Sequence, residues 1–310
     1  MKRRIFLCFF LLSASYFYAV EENIVVKTSN GDIYGTLLLP DSAQNIPIAL
    51  LIAGSGPTDR NGNQPTMQTN TLKYLAEGLE QNGIASLRFD KRAIGESKDA
   101  GLKEEDLRFE TYVNDVKLWI DLLAKDTRFQ SITIIGHSEG SLIGMLAAME
   151  NPHVSTFVSL AGVALPADEV IMEQLKNQPA TVLELITPIF AQLKKGQTVT
   201  DVPTTLFSLF RPSVQPYMIS WIKYSPKEEI KKLNIPILII QGTTDIQVPT
   251  IHADWLAEAN PKAGKKIIES MNHVLKKCES TEQLPQIAVY TNPALPLVDE
   301  LLPAIVQFIR

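Results

Sequence analysis

Short, uninterrupted apolar runs recur along the chain, at residues 48–53, 84–89, 132–135, 154–160 and 235–240. Runs of this length predict strands covered on both faces, as in a parallel sheet. Between them, residues 72–81, 112–124 and 142–150 repeat apolar positions at three-to-four spacing, the period of an amphipathic helix. Strand and helix in alternation predict an α/β fold with a mostly parallel central sheet and helices on both faces. Ahead of this pattern lie two β-rich runs, 24–28 and 33–39, separated by Ser29-Asn30-Gly31-Asp32. The Asn-Gly pair suits a tight turn, so the chain is expected to open with a hairpin.

The alternation breaks once. From 165 to about 225 there are helix-like pieces (169–176 and 181–194) and a Pro-punctuated aromatic stretch (207–224), but no strand run. An inserted helical cap is the expectation, dividing a core of residues 20–164 and 226–310. The sheet pattern resumes at Ile235, followed by a helix over 255–259, a strand over 265–269 and a last helix over 301–309.

The first residues read differently. Lys2-Arg3-Arg4 precede eight apolar residues, 5–12, and then small and aromatic residues to Ala19. This is the pattern of a secretory signal peptide, cleaved after Ala19 or Ser15. The apolar run is too short for a bilayer span, which takes roughly 20 residues, so no stable membrane anchor is expected and the mature chain is expected to be exported. Without that leader one cysteine remains, Cys278, which cannot form an internal disulfide and is read as a packed thiol.

Composition narrows the function. The chain has 310 residues, 45% of them hydrophobic, and 34 acidic residues against 29 basic ones. Such a chain can bury a large core without staples. No Lys/Arg cluster offers the footprint a nucleic acid needs, and no spacing of histidine, cysteine and carboxylate suggests zinc. Small-molecule chemistry without metal or cofactor is the expectation; the oligomeric state is left open.

The strongest motif is Gly136-His137-Ser138-Glu139-Gly140, a Gly-x-Ser-x-Gly between an expected strand and an expected helix, which is the setting of a nucleophile elbow. A serine hydroxyl needs a base, and the base needs an acid to orient it. Of four histidines, His137 adjoins the serine, His153 falls at the far end of the following helix and His252 opens another helix. His273 follows the last expected strand and is the candidate base. Asp245, in the loop leaving the 235–240 run, is the candidate acid, with Asp168 as runner-up. The oxyanion hole is expected from the backbone N–H of Glu139 and of Ser55, the latter in the loop Ala53-Gly54-Ser55-Gly56-Pro57. Glu139 itself is expected to sit in a structural ion pair with Arg60 or Arg92. Among the cap aromatics, Phe207, Phe210 and Trp221 are expected to contact substrate.

These residues resemble the α/β-hydrolase superfamily, in particular its secreted bacterial esterase and serine-aminopeptidase-like branch, over nearly the whole mature chain. Asp90-Lys91-Arg92-Ala93-Ile94-Gly95-Glu96-Ser97 is similar to that family's Asp-x-Arg-Gly-x-Gly-x-Ser loop, with Ala93 where glycine is usual. Gly54 to Asn61 is similar to a segment of secreted esterases, with Ala53 where a histidine is usual. The resemblance implies an α/β-hydrolase fold with Ser138, Asp245 and His273 as its triad. It also implies a serine hydrolase that cleaves small-molecule carboxylic esters of small to medium acyl groups through an acyl-enzyme. An amide or peptide hydrolase of the same fold is the alternative, and a binding protein that lost catalysis is a third reading.

Overall fold

In the computed structural model, residues 19–41 and 43–310 are described, so the expected leader lies outside the described residues except for Ala19. The strands are β1 (Val20–Thr28), β2 (Gly31–Leu39), β3 (Ile46–Ile52), β4 (Ala85–Phe89), β5 (Phe129–His137), β6 (Val154–Leu160), β7 (Ile237–Gly242) and β8 (Gly264–Ile268). They form one eight-stranded sheet in the order β1-β2-β4-β3-β5-β6-β7-β8. The β1–β2 hairpin and the β2–β4 pair are antiparallel, and every pair from β4 to β8 is parallel. The expected α/β-hydrolase architecture, a mostly parallel sheet with helices on both faces, is what the chain has.

The unbroken apolar runs do what two-sided burial requires. Along β3, Ile48, Leu50 and Ile52 enter one core cluster while Ala49 and Leu51 enter the other. The first cluster is covered by α2 (Phe109–Leu123) and α3 (Glu139–Ala148), through residues such as Trp119 and Ile143; α1 (Thr71–Gln81) and α11 (Leu301–Ile309) cover the second through Leu75, Leu79, Leu301 and Ile305. Each fully buried Leu or Ile contributes about 1.5–3 kcal/mol of transfer free energy, so neither face can be left uncovered.

Between β6 and β7 stand α4 (Ala167–Gln174), α5 (Ala180–Leu193), α6 (Phe207–Phe210), α7 (Gln215–Ile222) and the one-turn α8 (Pro226–Glu229). Ile186, Phe190, Met218 and Ile222 of this segment join the α2/α3-side core. Two bonds fix it to the start of α2: Phe109 N–H donates to Ser220 Oγ at 2.8 Å, and Tyr224 Oη donates to Glu110 Oε1 at 2.9 Å. After β7 come α9 (Ile251–Ala259) and, beyond β8, α10 (Gln283–Tyr290).

The sheet positions the site through its strand order. β4 lies on one side of β3 and β5 on the other, so the chain reverses its direction of travel across the sheet there, and the loops leaving those strands part to leave a crevice.

Candidate active site

β5 runs straight into Ser138, whose backbone is held at φ 55°, ψ −121°, at the N-terminus of α3. A side chain in that conformation is strained, and only close packing around it can hold it there. The packing is tight. A Cβ on Gly136 would come within 2.3 Å of the Gly140 carbonyl oxygen, and one on Gly140 within 2.5 Å of the Ile52 oxygen. Both glycines are therefore required for strand, turn and helix to pass, which is the physical content of the Gly-x-Ser-x-Gly spacing.

Asp245 leaves the end of β7 in a loop that saturates its carboxylate. Oδ1 accepts the backbone N–H groups of Gln247 (2.8 Å) and Val248 (2.9 Å), and Oδ2 accepts Gln241 Nε2 (2.9 Å) and His273 Nδ1 (2.8 Å). An ionised carboxylate only accepts, so His273 carries its proton on Nδ1 and presents Nε2 as the free basic nitrogen. Both side chains are buried. Asp168, the other acid considered, lies at the start of α4 and pairs with Lys194 at 2.7 Å, away from His273.

The remaining histidines separate cleanly. His153 is exposed, and His252 is buried, accepting Ala164 N–H on Nδ1 and facing Glu173 through Nε2. His137, the serine's neighbour in the chain, also belongs to the site: its Nε2 meets the backbone oxygen of His273 at 2.8 Å. No sequence signal marks this contact, because it joins a side chain to a main-chain atom 136 residues away.

Ser138 opens onto two cavities. One, of about 470 Å³, is shared with His273 and lined by Gln64, Thr69, Gln247, Ile287 and Tyr290; the other, of about 690 Å³, lies under the helical insertion against Ile171, Leu209, Val214, Met218 and Trp221. Ser55 lines both. Among the described residues no acceptor takes the backbone N–H of Ser55 or of Glu139, so both donors are free, and both residues line the 690 Å³ cavity beside Ser138.

Two expectations about side chains are corrected. Glu139 pairs with Lys91 (3.0 Å) and accepts Tyr217 Oη (2.5 Å), rather than meeting Arg60 or Arg92. Those arginines are taken by carboxylates nearer to them: Arg60 by Asp90 and Arg92 by Asp115, each at 2.6 Å. Trp221 does line the 690 Å³ cavity, but Phe207 and Phe210 do not. Phe210 is fully buried with its ring edge-on to Phe190, and Phe207 is 42% exposed, so one is core and the other faces water.

The charge environment is closed. The carboxylates lining the two cavities are Glu104 and Glu139, and each faces a cation, Arg211 for the first and Lys91 for the second. Burial and the Glu139 charge raise the Tyr217 phenol well above its ordinary value, so it stays protonated and donates. Cys278 is packed with Val274 and Val289 and takes no part in the site. Among the described residues no group of three His, Cys, Asp or Glu side chains could hold a metal ion.

A family model for serine aminopeptidases of the S33 type matches residues 66–208. Among curated proteins, the esterase EstD of Thermotoga maritima is 28% identical over 256 residues, covering 80% of this chain. The chain spans 59% of that esterase's length. Human monoglyceride lipase is 26% identical over 254 residues, covering 78% of each chain. Among solved structures, Est1E from Butyrivibrio proteoclasticus with ferulic acid bound superposes with a TM-score of 0.62 at 16% identity, covering 92% of this chain and 96% of that one. The Pyrococcus furiosus esterase Pf2001 gives 0.56 at 15%, covering 94% and 90%. The structural matches carry the fold.

Proposed function

We propose that this chain, an α/β-hydrolase by fold, is a serine carboxylesterase that works through an acyl-enzyme with Ser138, His273 and Asp245 as its triad. One observation carries the reading: a serine on a strained elbow shares a cavity with a histidine whose Nδ1 is tied to a saturated carboxylate, beside two unused backbone N–H groups. The esterase and lipase names of its relatives point the same way.

In the reaction, His273 Nε2 takes the Ser138 Oγ proton as Oγ bonds to the ester carbonyl carbon. Negative charge moves to the carbonyl oxygen, which the Ser55 and Glu139 N–H groups receive; a preorganised donor of this kind is worth about 3–4 kcal/mol. His273 then returns the proton to the departing alcohol oxygen, leaving the acyl group on Ser138. Water repeats the sequence and releases the acid.

The two cavities divide the substrate. The alcohol oxygen must be within reach of His273, which lines the 470 Å³ cavity and is absent from the lining of the other. The alcohol therefore belongs on that side and the acyl group under the insertion, which acts as the cap, where apolar walls and a volume of about 690 Å³ suit a small to medium chain. An aminopeptidase would need a free carboxylate for the substrate amine, and Glu104 and Glu139 are both already paired. Export is proposed as well, on Lys2-Arg3-Arg4 and the apolar run behind them; exported protein retaining Met1 would refute it.

The test is a panel of p-nitrophenyl esters of increasing acyl length beside aminoacyl-nitroanilides. Turnover of the esters with a maximum at short or medium length supports the reading. Faster cleavage of the nitroanilides would overturn it in favour of an amide hydrolase.

A further inference from the structure

Lys91 is an unusual residue to find where it is. It stands two residues past β4, is 3% exposed, and its ammonium lies 3.0 Å from Glu139 Oε2, 2.5 Å from the Gly54 carbonyl oxygen and 5.1 Å from the centre of the Tyr112 ring. Burying an ammonium costs several kcal/mol unless its partners are well placed. A counter-ion for Glu139 would account for one of those bonds. The bond to Gly54 calls for another reason.

That carbonyl belongs to the peptide that joins Gly54 to Ser55. In a trans peptide the C=O and N–H point in opposite directions, so whatever holds the Gly54 oxygen also aims the Ser55 N–H. This N–H is one of the two free donors beside Ser138, and Ser55 lines both cavities. The peptide lies close against Ser138: a Cβ on Gly54 would stand 3.1 Å from the Ser138 Cβ. The strand order supplies the rest, since β3, which ends at Ile52 two residues before Gly54, lies between β4 and β5. Lys91, two residues past β4, and Glu139, two residues past β5, thus close over the β3 loop from its two sides. Glu139 contributes the second N–H through its backbone while its side chain holds the ammonium that sets the first.

We infer that Lys91 is a positioning residue for the oxyanion hole, fixing and polarising the Gly54–Ser55 peptide, with Glu139 as the group that anchors it. The inference rests on the proposed esterase reading. An ammonium on the carbonyl side of a peptide strengthens its N–H as a donor, because hydrogen bonds in series polarise one another. The pair is linked to the cap as well. Tyr217 of α7 donates to the other oxygen of Glu139, so the carboxylate that steadies Lys91 is itself steadied by the seated cap.

Lys91→Met keeps the stem and removes the charge. Its effect is read with a short p-nitrophenyl ester and with two inhibitors of the same skeleton, a trifluoromethyl ketone and its unfluorinated methyl ketone. The fluorinated ketone takes up Ser138 Oγ at its carbonyl carbon, the hydroxyl proton passes to His273, and the carbonyl oxygen becomes an anion in the hole; the methyl ketone binds without that step. Removing a direct oxyanion donor costs about 10²–10³-fold in kcat, so loosening one is expected to cost about 10–100-fold. KM should stay within about threefold, the trifluoromethyl ketone should lose affinity in step with kcat/KM, and the methyl ketone should not. A purely structural lysine would not separate the two ketones. Near-ultraviolet circular dichroism establishes that the variant is folded; where it is not, Glu139→Gln carries the test, with the same split at about 3–10-fold. A folded variant that binds both ketones as the parent does, or changes KM alone, would overturn the inference. Ser138→Ala run in parallel separates the two claims: turnover surviving there is a failure of the esterase reading, whereas an inactive Ser138→Ala beside an unaffected Lys91→Met is a failure of this one alone.

Discussion

His137 Nε2 donates a hydrogen bond to the backbone carbonyl of His273 at 2.8 Å, and the two rings lie 4.9 Å apart. A carbonyl only accepts, so His137 keeps its proton on Nε2 and works as a brace on the main chain of the proposed base. Desolvation, followed by repulsion from His273, lowers the His137 pKa from 6.5 to about 4. The unfolded chain thus takes up a proton that the folded chain refuses between about pH 4 and 6.5. Stability contributed by this group is complete above that window and is lost as the pH falls through it. Denaturant titrations at pH 7 and pH 5 should show the parent losing more than His137→Gln, which retains an amide donor. The difference should be on the order of 1 kcal/mol, allowing for the ring's partial contact with solvent. Equal losses in both proteins would contradict it.

The acid is decided by comparing two substitutions. Asp245→Asn leaves the loop bonds largely in place but puts the wrong tautomer on His273, and kcat should drop by about 10⁴-fold. Asp168→Asn breaks a bond to Lys194 at the foot of the cap and should change kcat by less than about threefold. Steady-state kinetics on one ester checks both, and a larger loss at Asp168 would reverse the assignment.

Three cap aromatics should behave in three ways. Phe210→Ala should cost about 3–5 kcal/mol of stability with the acyl-length profile unchanged, because the ring is core. Phe207→Ala should fall within about 0.5 kcal/mol of the parent. Trp221→Ala enlarges the 690 Å³ cavity and should raise kcat/KM for longer acyl chains relative to short ones. An unchanged ratio for Trp221→Ala would remove the cap wall from the specificity account.

Ala93 sits at φ 64°, in the left-handed region, within the loop that resembles the Asp-x-Arg-Gly-x-Gly-x-Ser pattern, which has glycine at this position. A non-glycine residue there costs about 1–2 kcal/mol. Ala93→Gly recovers part of that and loses part to unfolded-chain entropy, so a net gain of about 0.5–1 kcal/mol is expected in chemical denaturation. A loss of stability would show that the Ala93 methyl makes a contact worth more than the strain.

The two-sided strands were legible because burial on both faces leaves an unbroken apolar run, and β6 coincides with its run at 154–160. β5 begins three residues before its run, since Phe129 and Ser131 pair with Ile46 and Pro47 of β3 across a register shift that leaves Gln130 between them, and the polar pair 130–131 breaks the apolar pattern. α10 was not legible: Leu284 and Ile287 are exposed, so its pattern does not report a buried face, and Gln286 holds it by donating to the Thr244 and Ser280 carbonyls. Yet this helix brings Ile287 and Tyr290 to the 470 Å³ cavity beside Ser138. Spacing and strand-end placement identified Ser138, Asp245 and His273 as candidates because loops leaving parallel strands gather at one sheet edge. The direction of the cap aromatics and the choice of Lys91 for Glu139 depend on tertiary packing, to which one-dimensional spacing is blind.

The central claim is that Ser138 is the nucleophile of an acyl-enzyme ester hydrolase. An organophosphonate bearing a short alkyl chain, added at stoichiometric amount and followed by intact-mass and peptide mass spectrometry, tests it directly. One adduct per chain is expected, located on Ser138, with esterase activity falling in proportion to labelling and no adduct on Ser138→Ala. An adduct on any other residue, or full turnover by the labelled protein, would contradict it.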